Sequence, residues 1–96
     1  MIGKIRRVVL DTLKPLELSI VDLARDLSEL DGVQAVNISI VEIDHKVENA
    51  KITIEGEDIR HKEVFRFLED QGASIHSIDE VVAGRTIIDD AATLQD

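Results

Sequence analysis

The side chains able to do chemistry in this chain fall on a few short stretches: Asp11; Glu42 and Asp44; and His76, Ser77, Asp79 and Glu80 within Gly72 to Arg85, GASIHSIDEVVAGR. Clustered carboxylates supply the oxygen ligands that hard cations take. Asp11, Glu42, Asp44, Asp79 and Glu80 therefore form a candidate site for calcium or magnesium, completed across a subunit contact where one chain supplies too few ligands. In a chain with 20 acidic residues the ordinary alternative is that these are solvated acids, or partners of Arg7 and Arg85. His76 could ligate a metal or exchange a proton, but a lone histidine without a second at ligand spacing is more often a hydrogen-bonded structural group. Ser77 between His76 and Asp79 suggests a nucleophile with a base and an acid. Strand alternation puts Ser77 and Asp79 opposite His76 unless a bulge intervenes, so a triad of these neighbours is disfavoured. His45 belongs to a polar hairpin and His61 to the first turn of a helix, and neither carries an assignable role.

Composition narrows the chemistry further. Without cysteine the chain forms no disulfide, thiolate zinc site or iron–sulfur cluster. Eleven basic against 20 acidic residues give a charge of −9, which repels a polyanion, because nucleic-acid affinity comes largely from Lys and Arg displacing phosphate counterions. No nucleic-acid partner is expected; cations or a basic protein suit the field better. The longest apolar runs fall far short of the roughly 18 residues of a transmembrane helix. The basic residues Lys4, Arg6 and Arg7 precede only Val8 to Leu10, too short for the apolar part of a signal peptide. No membrane partner and a cytoplasmic location are the expectation. Abundant Ile, Val, Glu, Arg and Lys with little Asn and Gln lean towards a thermophilic source. Ninety-six residues support one modest core and no deep catalytic cavity.

The elements that must position these groups read in the order βαββαβ. Lys4 to Leu13 alternates as a strand, Val8, Leu10 and Thr12 on one face and Arg7, Val9 and Asp11 on the other, with Lys14 and Pro15 ending it. Ser19 and Asp22 open a helix in which Ile20, Leu23, Ala24, Leu27 and Leu30 recur at helical spacing, and Gly32 stops it. Val36, Ile38 and Ile40 mark a second strand, a polar turn spans Asp44 to Asn49, and Ala50, Ile52 and Ile54 mark a third. Asp58 is the expected cap of a second helix with Val64, Phe67 and Leu68 buried and Phe65 to one side, a possible subunit contact; Gly72 ends it before the fourth strand. Two βαβ halves joined by a hairpin give the ferredoxin-like α+β fold, a four-stranded antiparallel sheet with both helices on one face. The first and fourth strands are then neighbours, so Asp11 could approach Asp79 or Glu80. Residues 1–84 form this domain. Residues 85–96, with the adjacent Ile87 and Ile88, are expected to add a strand or tail on the sheet edge or on a neighbouring subunit.

Three segments, VLDTLKP (Val9 to Pro15), GVQAVNISIVEID (Gly32 to Asp44) and GASIHSIDEVVAGR (Gly72 to Arg85), together resemble a small archaeal family known as domain of unknown function 211. The most specific element is SIHSIDEVVAG (Ser74 to Gly84), and the resemblance spans nearly the whole chain. It implies a ferredoxin-like fold and a closed, ring-like homo-oligomer, and it brings no catalytic residue with it. Two relatives of the fold fit less well: copper-chaperone domains need paired cysteines after the first strand, and amino-acid-binding regulatory domains often place a glycine there. Lys14 to Glu17 has neither. The first expectation is a non-enzymatic homo-oligomeric module that binds a divalent cation or small ligand near subunit contacts. The alternatives are a hydrolase using an oxygen-ligated cation to activate water, and a scaffold without a small ligand.

Overall fold

The computed structural model describes residues 3–89. Its elements are β1 (Ile5–Pro15), α1 (Ile20–Ser28), β2 (Val33–Ile43), β3 (Val47–Gly56), α2 (His61–Asp70) and β4 (Ser74–Ala83). The strands form one antiparallel sheet in the order β2-β3-β1-β4, so the two halves interleave and β1 lies between β3 and β4. This is the ferredoxin-like α+β fold. Val8, Leu10, Ile52 and Ile54 from the central strands meet Leu23 and Leu27 of α1 and Val64 and Leu68 of α2 in one core. With a single layer of helices on a single sheet, the molecule measures 41 × 35 × 18 Å.

The first helix starts as its sequence demands. The Ser19 hydroxyl accepts hydrogen bonds from the backbone N–H groups of Val21 and Asp22 at 3.1 and 3.2 Å, satisfying two donors that the helix leaves free. The second does not. Arg60, not Asp58, precedes α2 and makes no side-chain cap, while the Asp58 carboxylate accepts the N–H of Ile5 at 3.4 Å and ties the start of β1. The reason lies in the turn between β3 and α2. Gly32, at φ +85°, brings its backbone against the Asp58 carbonyl, and Gly56 lies against the Gly32 carbonyl; a Cβ at Gly56 would stand 1.8 Å from that oxygen. Two glycines thus let the loops after α1 and β3 pass at backbone contact, where any side chain would collide.

Three boundaries differ from the sequence expectation. First, β1 runs on to Pro15, and Lys14 is buried at the end of the core-facing row. Second, the β2–β3 hairpin is longer than its polar composition suggests: Glu48 and Asn49 belong to β3, paired with Lys14 and Leu13 on β1. Cross-strand partners outweigh turn propensity here, since Lys14 forms an ion pair with Glu48 and the Asn49 amide donates to Asp11 and to the Thr12 carbonyl. Third, Thr86 to Asp89 form no strand; β4 ends at Ala83, and the N–H of Gly84, at φ +134°, makes a last bond to the Lys4 carbonyl at 2.8 Å. Arg6 bridges the Gly56 and Arg85 carbonyls, and Arg7 reaches Asp89 at 3.2 Å. Of the expected tail, residues 90–96 lie outside the described residues.

Candidate functional site

The face of the sheet opposite the helices is built from alternate residues of each strand. Arg7, Val9, Asp11 and Leu13 of β1 pair with Glu55, Thr53, Lys51 and Asn49 of β3, and these pair with Ala35, Asn37, Ser39 and Glu42 of β2. On the other side of β1, Val82, Glu80 and Ser77 stand opposite Arg7, Val9 and Asp11. β4 reaches this register only by carrying two surplus residues: pairing shifts between Ile75 and Ser77 and between Ile78 and Glu80, leaving His76 and Asp79 without partners of their own. The bulges that strict alternation would exclude are therefore present, and they change the faces. Ile75, Ile78 and Val81, three residues apart, all pair with the core-facing row Thr12, Leu10 and Val8.

The expected site residues separate into three groups. Asp11 accepts from the Asn49 amide. Asn49 stands opposite Glu42, and Glu42, Asp44, Leu13, Val47 and Asn49 line a shallow pocket of about 150 Å³ at the hairpin end of the sheet. Asp44 closes the hairpin there: its N–H donates to the Val47 carbonyl at 2.9 Å, and its carboxylate accepts the N–H of His45 at 2.6 Å. Asp79 instead accepts from the Ser77 hydroxyl at 2.6 Å. Glu80 accepts from Arg7 at 3.2 Å. The first and fourth strands are neighbours as expected, but the residue facing Asp11 is Ser77, not Asp79 or Glu80. Among the described residues, no three His, Asp or Glu side chains of one chain come close enough to hold a metal ion. Nor does a triad form: His76 hydrogen-bonds to neither Ser77 nor Asp79 among the described residues, so the serine has no base to take its proton.

Among the described residues, Arg7 is the cation with the most carboxylate partners. Its guanidinium donates to Glu55 at 2.7 Å and to Glu80 and Asp89 at 3.2 Å each, gathering carboxylates from β3, β4 and the segment after Gly84. The hydrogen bond to Glu55 is the main reason its acidity is pushed below that of a free arginine; burial works the other way, and Asp89 and Glu80 reinforce the first effect. Arg7 therefore stays charged at any pH at which the protein folds. Val9 and Val82, beside it on the helix-free face, are buried to 6% exposure. The segment carrying Asp89 is held over that end of the face.

Two features were not visible as sites in the sequence. The first is the ion pair of Lys14, 2% exposed, with Glu48. Its ammonium also donates to the Pro15 carbonyl at 3.0 Å. The signal was parity, since Lys14 shares the row of Val8, Leu10 and Thr12. The second is an open groove of about 210 Å³ between α2 and β4, lined by Ile5, Val8, His61, Phe65, Ile78 and Val81. His61 meets Phe65 edge-on, with ring centres 5.6 Å apart. Ile78 and Val81 face the helix layer but are about half exposed, because α2 does not extend over this edge. Their spacing of three residues was the signal, read as strand alternation because bulges leave no mark in composition.

A ferredoxin-like domain with one sheet face free of helices and a charged node on it is the class these observations define. A family model described as an uncharacterised ArCR protein family, domain of unknown function 211, matches residues 6–96. The chain belongs to this family. It is also 50% identical over 92 residues to an uncharacterised protein of the archaeon Methanocaldococcus jannaschii, covering 96% of this chain and 95% of that one. Among the described residues, no helix is long and apolar enough to cross a membrane.

Proposed function

We propose that this chain is a non-enzymatic module that works as a homo-oligomer. The observation that carries the reading is where apolar side chains remain uncovered. Leu13, Leu16, Val41, Ile43 and Val47 are exposed around the hairpin end, and Ile78 and Val81 beside the groove. Scattered exposed apolar residues are ordinary on a soluble domain, but these gather in two patches, the usual mark of a contact surface. Native mass spectrometry of protein purified without chelator should report several subunits. A monomer at about 100 µM, well above the dissociation constant of a stable contact, would overturn the reading.

A divalent cation belongs, on this reading, at the hairpin end. Asp11, Glu42 and Asp44 lie around Asn49 beside the exposed apolar patch, and the donors that Asp11 and Asp44 accept from, the Asn49 amide and the His45 N–H, are neutral, whereas Glu80 is already paired with the Arg7 cation. Among the described residues no three ligands come together there, so a neighbouring subunit would complete the site. Calcium or magnesium should raise the melting temperature of chelator-stripped protein, and Asp11→Asn or Glu42→Gln should remove the shift. An absent shift with both metals, or a shift untouched by either variant, would discard the cation site and leave the assembly reading standing.

A further inference from the structure

The sheet has two outer strands, and they are built differently. β4 is interrupted by its two surplus residues and carries Asp79 and Glu80. β2 has irregularities of its own at Gln34 and Val41, but between them Ala35 to Ile40 runs in unbroken register with Glu55 to Ala50 of β3. This stretch, AVNISI, holds no charged residue and no proline, the devices that usually keep an outer strand from pairing. Its other side pairs with no strand among the described residues. Val36, Ile38 and Ile40 continue the core rows of Ile54, Ile52 and Ala50, which are fully buried, yet they remain partly exposed themselves. One more strand laid against β2 would complete its hydrogen bonding and finish covering that row.

Charge selects the kind of strand. Asp31, Glu42 and Asp44 are the only charged residues from 31 to 44. α1, which packs on β2, carries with its C-cap Asp22, Asp26 and Glu29 against Arg25 alone. On the hairpin and β3, Glu48 and Glu55 are balanced by Lys46 and Lys51, so the surplus of acid at this edge stands. On α2, by contrast, Arg60, Lys62 and Arg66 are matched by Glu63, Glu69 and Asp70. A second β2 laid antiparallel on the first would set Asp31 of each copy towards Glu42 and Asp44 of the other, and like charges facing across strands repel. We infer that β2 is a docking edge for a different, basic protein, which adds an extended segment of alternating β-branched and basic residues as a fifth strand. Its branched side chains lie beside Val36, Ile38 and Ile40; its basic ones lie beside Asn37 and Ser39, in the row that ends at Glu42. This contact is independent of the self-assembly proposed above.

The probe is a synthetic octapeptide alternating lysine with valine, titrated into the full chain by calorimetry while amide exchange is followed by NMR. A Kd below about 1 mM is expected, with slowed exchange at those amides of Ala35 to Ile40 that do not bond to β3. The same peptide methylated on its interior backbone nitrogens keeps its charge but cannot pair as a strand, and should not bind. Ser39, Lys51, Asp11 and Ser77 lie across one row of the sheet, so Ser39→Lys and Ser77→Lys place the same charge at its opposite edges. Circular dichroism confirms that both variants are folded, with Asn37→Lys replacing Ser39→Lys if it is not. The change on β2 should weaken binding by about fivefold and the change on β4 by less than about twofold. A peptide that fails to bind at about 1 mM, a methylated peptide that binds as well, or an equal loss in both variants overturns the proposal. So does exchange at the same amides that slows with rising concentration of the protein alone, since a second copy then holds the edge.

Discussion

Lys14 and Glu48 are the costliest pair of residues in the chain, since an ammonium 2% exposed is almost fully stripped of water. Attraction within such a pair roughly offsets its desolvation, but removing one partner leaves an uncompensated buried charge. Glu48→Ala should therefore destabilise the protein by about 3 kcal/mol in urea unfolding, whereas the double change Lys14→Met with Glu48→Leu should recover most of the loss. A single variant as stable as wild type would show the pair to be idle. Arg7 differs in kind. Its side chain is 16% exposed and its partners more so, so these pairs add little stability, and the one with Asp89 chiefly fixes where the chain after Gly84 lies. The residue types at these positions were plain from the start, but their partners were not. Asp11 was legible as a strand acid; that Asn49 would claim it depended on β3 beginning three residues earlier than its polar composition suggests.

At the scale of elements, alternation and helical spacing located all four strands and both helices. They failed only where a tertiary contact overrode the local signal. Ser19 capped α1 as read, yet Asp58 was drawn to the N–H of Ile5 because the glycine contact between neighbouring loops sets the path of that turn. The contact is testable. Gly56→Ala would force a methyl against the Gly32 carbonyl and should cost about 1–3 kcal/mol by chemical denaturation, the range of forced overpacking. An unchanged midpoint would show that the loops can part freely. β4 was the least legible element. Its inward-facing apolar residues Ile75, Ile78 and Val81 repeat every third position, a period foreign to a regular strand, and only two bulges reconcile that spacing with a single core-facing row.

At the scale of the whole molecule, a fold of one sheet and one helix layer has little depth in which to build a cleft, and its open ground lies at edges and corners. That geometry is why the acids read together in the sequence end at separate places, and why the apolar surplus lies at opposite corners of the sheet. Sequence patterns could give the order of strands, hence which residues are neighbours, but not how far each helix reaches across the sheet. The uncovered part of β4 depends on that reach.

The two surplus residues of β4 also protect the molecule from itself. A straight outer strand offers a regular row of unpaired N–H and C=O groups to any passing chain, the start of amyloid-like stacking. His76 and Asp79 break that row at two places, and because neither has a partner of its own on β1, deleting both leaves every other residue on its present face. A protein lacking His76 and Asp79 should thus fold with its core unchanged yet become prone to fibril growth, seen as thioflavin binding on prolonged incubation where wild type gives none. If the shortened protein stays clear over the same period, its solubility owes nothing to the irregular edge.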